Sequence, residues 1–242
     1  MRPVAILQHE ASQGPGYLLD FLQQQDIPFQ IFHPAQGQDL PLRASDHSGL
    51  VVLGSNHSAN EDLPWIAQEI ALLQAALSRD VPVLGHCFGG QLLARAMGAQ
   101  VHRNAWPHIG WSRLAVTPAA RTLFGGASHA TLFNWHYDSF EIPRGAARTL
   151  FGMHGLNKGF AHGKHLGFQS HLEVTEASVR AWCEESRQEL TLAHGPAVQT
   201  EAQMLQGLRE RTAELHRVAR GVYQQWATGL SRPTLVQLHG GW

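Results

Sequence analysis

Short, mainly apolar runs alternate with longer amphipathic stretches through the first part of the chain. Residues 4–8, 29–32, 49–53 and 81–84 are such runs, set off by glycine, proline or polar clusters, and they predict strands buried on both faces, as parallel strands are. Gly14-Pro15-Gly16 follows the first run and leads into residues 17–25, where Leu18, Leu19, Phe21 and Leu22 predict a helix. Asp62 precedes Leu63-Pro64-Trp65, which predicts a capping carboxylate and a first-turn proline for a helix continuing through Ile70, Leu73 and Leu77. Strand and helix in alternation, with short connections, predict an α/β fold: an open, mostly parallel sheet flanked by helices.

The pattern then changes. Residues 111–116, 131–135, 148–151, 159–161 and 166–170 read as strands with no long helix between them, predicting added antiparallel hairpins and a return to the main sheet. Residues 177–192 read as a helix. From 200 to 228 the positions Leu205, Leu208, Thr212, Leu215, Ala219, Val222 and Trp226 recur at spacings of three and four, one apolar seam down one helical face. That seam fits packing on the chain's own domain or, alternatively, a homodimer or partner-protein contact. The expected division is a catalytic domain over residues 1–195 and a C-terminal helical extension over 196–242.

Composition narrows the classes. The 242 residues are 43% apolar and 15% charged, with a formal net charge of −1, so no strong field draws nucleic acid or an anionic membrane. No apolar run approaches the roughly 20 residues that span a bilayer, and the first segment turns polar at Gln8 and His9, so a cytoplasmic protein is expected. Two cysteines, Cys87 and Cys183, do not make a disulfide framework.

Candidate chemistry centres on Gly85-His86-Cys87-Phe88-Gly89-Gly90-Gln91. An apolar strand enters a tight turn containing the cysteine, a helix begins at once, and Gly98 stands where the helix end needs a left-handed residue. This is the pattern of a nucleophile elbow, with the helix N-terminus favouring thiolate at Cys87. An inert buried cysteine is the bland alternative. In Gln169-Ser170-His171-Leu172-Glu173 the histidine and the acid share a face of an extended segment, so Glu173 can fix the tautomer of His171. Taken alone, that alternation fits a solvated strand pair as well. His136 and Asp138 also lie at strand spacing, but lack a third ligand, so no metal is expected. His162 and His165 read as solvated loop residues and Cys183 as helix packing, while Trp65, Trp106 and Trp111 either line the site or pack.

Together these segments resemble the class I glutamine amidotransferase family. The elbow resembles its Gly-x-Cys-x-Gly-x-Gln motif and residues 169–173 its Gln-x-His-Pro-Glu segment, with Leu172 in place of the proline. Gly54 after the third strand, Ile109-Gly110-Trp111, and Trp135-His136-Tyr137-Asp138 extend the likeness to stand-alone proteins related to the glutaminase domain of GMP synthetase. The resemblance implies a flavodoxin-like fold of that family's type and a triad in which Cys87 attacks a carboxamide, His171 protonates the leaving ammonia and Glu173 orients His171. It implies oxyanion donors at Phe88 and the Gly54-Ser55 turn, substrate contacts at Gln91 and around Trp135, His136 and Tyr137, and no cofactor.

Glutamine is the substrate so implied, with a separate synthetase as partner, because the sequence has no Gly-rich phosphate loop and too few residues after Ala193 for a nucleotide-binding module. A γ-glutamyl hydrolase or peptidase acting on γ-glutamyl amides is the alternative within the same chemistry. A catalytically silent binding protein of the same fold is the alternative outside it, and intact Cys87, His171 and Glu173 argue against it.

Overall fold

The computed structural model describes residues 1–231; the remainder of the expected C-terminal extension, 232–242, lies outside the described residues. The strands are β1 (Val4–Leu7), β2 (Phe29–Phe32), β3 (Gly49–Val52), β4 (Val83–His86), β5 (Val101–Val116), β6 (His129–Phe140), β7 (Ala147–Phe151), β8 (Gly159–His162) and β9 (His165–Phe168). The helices are α1 (Gly16–Gln24), α2 (Pro64–Ser78), α3 (Phe88–Ala96), α4 (Glu176–Glu185), α5 (Arg187–Leu192), α6 (Glu201–Leu205) and α7 (Leu208–Ala227). All strands join one sheet in the order β2-β1-β3-β4-β9-β8-β7-β5-β6. The first four pairings in that order are parallel, and the rest are antiparallel. The apolar runs therefore form the parallel half, β9 returns to pair with β4, and the hairpins build an antiparallel arm.

Two apolar clusters cover the two faces. On one, α2 and α3 pack over β1, β3 and β4 through Leu72, Leu73, Ala76, Phe88 and Leu92. On the other, α1, α4 and α7 pack over both halves of the sheet through Leu22, Val179, Leu215, Val222 and Trp226. Burial of such side chains contributes roughly 1.5–3 kcal/mol each before ordering costs. Leu208, Thr212, Leu215, Ala219, Val222 and Trp226 of the seam are all buried. They face the chain's own core, so no free apolar seam is left on α7 for a second copy.

Several local expectations are corrected. The α2 N-cap position is Leu63, and no side chain caps it; Asp62 lies one residue too early. The helix expected over 177–192 breaks at Ser186 into α4 and α5. The helix expected from 200 to 228 breaks at Gln206-Gly207, where Gly207 takes φ +61°, a left-handed geometry that a helix cannot continue through. Thr200 does open it, in a capping box with Gln203. His165 is buried at the start of β9, whereas His162 is exposed. Among the described residues, no helix is long and apolar enough to cross a membrane.

Candidate active site

Cys87 stands between β4 and α3 with φ +51° and ψ −112°, a conformation costing of order 1–3 kcal/mol for a residue with a Cβ. The surroundings hold it there. Its N–H donates to the Phe168 carbonyl (2.8 Å), and its carbonyl accepts the first helical N–H, from Gln91 (3.0 Å). Gly89 lets α3 press on β3, since a Cβ there would run into the Val52 carbonyl. The sulfur faces the Trp135 carbonyl at 3.6 Å, and Gln169 Nε2 donates toward it at 3.9 Å. Gly98 ends the helix with φ +85°, as its position requires.

His171 follows β9, the neighbour of β4, and both it and Glu173 are almost completely buried. Its N–H donates to the Phe133 carbonyl (2.8 Å), and its ring Nδ1 meets Glu173 Oε1 at 2.6 Å. Burial alone would lower the imidazole; the Glu173 carboxylate, the Cys87 sulfur and hydrogen bonds to both outweigh it and raise His171 to about 10. Burial likewise opposes ionisation of Glu173, yet His86 and His171 on either side hold it below the usual carboxylate range. Trp182 of α4 packs edge-on against the His171 ring, centroids 4.8 Å apart, and donates from Nε1 to the Ser12 carbonyl at 2.8 Å. Behind Glu173, His216 of α7 meets the Val174 carbonyl at 2.9 Å and stacks on Tyr17. Leu172 fills the core between the two polar side chains.

The turn after β3 meets the His171 ring. A Cβ on Gly54 would sit 2.8 Å from His171 Cε1, so only glycine permits the ring to approach. The Gly54 carbonyl accepts from His9 Nδ1 (2.9 Å), and His9 Nε2 meets Glu69 Oε1 at 2.8 Å, both side chains fully buried. Ser55 Oγ donates to Glu10 Oε1 at 3.3 Å. Phe88 N–H lies in the first turn of α3, before the first intrahelical bond, where backbone donors are left without helical partners.

A cavity of about 490 Å³ opens over these groups, lined in part by Cys87, Gln91, Trp135, His136, Tyr137 and His171. Gln91 Nε2 donates to the Asp138 carbonyl at 3.0 Å. Trp135 Nε1 donates to Glu189 Oε1 at 3.1 Å. Tyr137 is pushed up to about 12 by burial, the Glu189 hydrogen bond and the Glu189 charge, against Arg103, whose guanidinium lies 4.4 Å from its ring centroid. Arg103 also pairs with Asp138 (3.3 Å), which accepts from Ser58 Oγ at 2.6 Å. The cavity thus offers carboxylates, a guanidinium and amide groups around one sulfur.

Of the residues singled out from sequence, Cys87 and His171 meet at one cavity with Glu173 bonded to His171, Gly54 packs against the His171 ring, and Ser55, Phe88, Gln91, Trp135, His136 and Tyr137 line the cavity. Trp65, Trp106 and Trp111 do not line it. Trp65 stacks on His9, Trp106 is half-exposed, and Trp111 donates to the Met204 carbonyl. Sequence reasoning missed Trp182, Arg103, Asp138 as a side-chain acceptor, and the His9–Glu69 pair. A signal for Glu69 existed: it falls in register with Ile66, Leu73 and Ala76 on the buried face of α2, where a carboxylate needs a partner. Among the described residues, no group of three or more His, Cys, Asp and Glu side chains is arranged to hold a metal ion.

The family model described as "Glutamine amidotransferase class-I" matches residues 22–181. A crystal structure of a glutamine amido transferase from Methylobacillus flagellatus superposes with a TM-score of 0.95 at 40% identity, covering 99% of each chain. "GMP synthase [glutamine-hydrolyzing]" of Aeropyrum pernix is 31% identical over 142 residues, 58% of this chain and 26% of that one. "Gamma-glutamyl peptidase 4" of Arabidopsis thaliana is 40% identical over 107 residues, 41% of this chain and 43% of that one. The elbow, the flanking sheet and these matches place the chain in the class I glutamine amidotransferase family.

Proposed function

We propose that the chain hydrolyses the side-chain carboxamide of glutamine through a Cys87, His171 and Glu173 triad and releases ammonia. The observation that carries this reading is the buried His171–Glu173 hydrogen bond of 2.6 Å beside a thiol held in a strained elbow at the floor of a cavity. His171, raised to about 10, is protonated at neutral pH and can hold the sulfur as thiolate. Thiolate attack on the carboxamide carbon makes a tetrahedral oxyanion, for which Phe88 and the Gly54-Ser55 turn supply backbone N–H donors. Collapse expels ammonia with the proton from His171 and leaves a γ-glutamyl thioester. Water, giving a proton to His171, then releases glutamate and regenerates the thiolate. A synthetase that consumes the ammonia is the partner this reading calls for.

A second reading, hydrolysis of γ-glutamyl amides without a partner, is favoured by the cavity. Its lining also carries Arg103, Tyr137, Glu185 and Glu189, contacts available to a group larger than ammonia leaving from the same carbonyl. The test is labelling by a glutamine-like diazoketone followed by steady-state assay. The probe is expected on Cys87 and absent from Cys87→Ser, and glutamine is expected to turn over to glutamate and ammonia. Labelling without glutaminase turnover, together with rapid cleavage of γ-glutamyl conjugates, would replace the first reading by the second. No labelling at saturating probe would leave a silent binding protein.

A further inference from the structure

The chain has two lysines. Lys164 is exposed and paired with Asp80, as a surface ammonium should be. Lys158 is only 1% exposed, and among the described residues it is the only lysine or arginine so buried. Among the described residues it pairs with no carboxylate; its Nζ lies 2.8 Å from His136 Nε2, 2.9 Å from His108 Nδ1 and 3.4 Å from Asn134 Oδ1. Tautomers follow from the partners. His136 Nδ1 faces the Asp138 carbonyl at 2.8 Å, an acceptor only, so that nitrogen carries the proton and Nε2 accepts from Lys158. His108 accepts on Nδ1, since an ammonium only donates. Three acceptors thus meet the three N–H groups of one ammonium.

This cluster wraps the underside of the candidate site. The Lys158 backbone carbonyl accepts from the N–H of Gln169 (3.0 Å), whose side chain reaches Cys87 Sγ. His136 follows Trp135, whose carbonyl faces the sulfur. Asn134 Oδ1 accepts from Ser170 Oγ at 3.0 Å, next to His171. Burial lowers Lys158 to about 7, opposed by the charge of Cys87, and His136 is held well below its ordinary value by burial, Lys158 and His108. Charge balance gives the cluster its sense. A thiolate, an imidazolium and a carboxylate leave one net negative charge in a buried site, which is costly without a counter-ion.

We propose that Lys158 is that counter-ion: a positioning residue that balances the buried negative charge of the Cys87 site and, through His136 and Asn134, fixes the strand facing the sulfur. The proposal rests on the triad reading above, and its test separates the two. Carbamidomethylation of Cys87 by iodoacetamide, followed by peptide mass as pH is varied, is compared in wild type, His171→Ala, Lys158→Met and Lys158→Gln. Lys158→Met and Lys158→Gln are expected to raise the pH of half-maximal alkylation by about one unit and to lower kcat on glutamine about tenfold with KM little changed. A merely structural lysine would lower thermal stability and leave that pH unmoved, which would overturn the proposal. If wild-type Cys87 reacts no faster than a free thiol and His171→Ala changes nothing, the triad reading itself fails.

A measurement on wild type covers the case in which the variants do not fold. With only two lysines, the ¹³Cε signals of Lys158 and Lys164 are readily separated by exposure. Alkylating Cys87 to a neutral thioether is expected to lower the titration midpoint of Lys158 and leave Lys164 unchanged. A Lys158 midpoint that does not move would also overturn the counter-charge role.

Discussion

The two halves of the sheet supply the candidate site in different ways. The parallel half brings Cys87, Phe88 and Gly54 from turns after β3 and β4, where a few consecutive residues determine backbone geometry. The antiparallel arm brings Arg103, Asn134, Trp135, His136 and Lys158, which converge only once β5 has paired with β6 and, through β7, with β8. His171, after β9, stands where the halves meet, since β9 pairs with β4 on one side and β8 on the other. The proposed nucleophile is thus a local feature and its electrostatic surroundings a tertiary one. Changes in the first half should act through geometry and changes in the second through charge.

The largest expected effect lies at the junction. Glu173→Gln keeps the shape of the side chain but removes the carboxylate that raises His171 and accepts from its Nδ1 at 2.6 Å. Loss of an orienting carboxylate in triads of this kind lowers kcat on the order of 10²–10⁴-fold, and that range is expected for glutamine hydrolysis, with the folded state retained by circular dichroism. Undiminished turnover would show that Glu173 does not orient His171. Next in size is Gly89→Ala. Its methyl group would meet the Val52 carbonyl, so α3 must lift from β3, at a cost of about 3 kcal/mol. Gly98→Ala is the control. No atom lies within 4 Å of the position a Cβ would take there, and φ is +85°, so only the left-handed backbone is penalised, by about 1 kcal/mol. Denaturant unfolding reads both, and equal costs would mean that close packing does not hold the elbow.

The same contrast explains what was legible in the sequence. The apolar runs of β1 to β4 and the glycine-cysteine-glycine spacing carry their meaning within a few residues, so strands, elbow and Cys87 could be placed without long-range information. His171 and Glu173 were legible as a pair because two residues of extended backbone share a face. Gly207 and Ser186 broke helices whose apolar periodicity ran straight through them, because periodicity records burial and not chain direction. Lys158 had no local mark: it lies in Asn157-Lys158-Gly159-Phe160, and its environment comes from His108 on β5 and His136 on β6, 50 and 22 residues away. Trp182 could be read as helical packing, which it is, but its edge-on contact with His171 depends on how α4 docks.

The smallest effect compares the charge on the two sides of the junction directly, as stability against pH. His171 is raised to about 10 in the folded protein from an ordinary value near 6.5. It therefore contributes stability that is complete below about pH 6.5 and is lost as pH rises toward 10. Lys158 is lowered to about 7 from 10.5, so the unfolded chain holds its proton more tightly, and the resulting cost is relieved as pH rises from about 7 toward 10.5. Across roughly pH 7–10 one group takes up a proton on folding and the other gives one up. Each alone corresponds to a slope of at most about 1.4 kcal/mol per pH unit, and the two slopes are opposite in sign. Wild type is expected to show little net slope there, and Lys158→Met to lose stability as pH rises, in urea unfolding at a series of pH values. If the variant's profile stays parallel to that of wild type, Lys158 keeps its proton on folding across this range, and burial does not lower it as far as about 7.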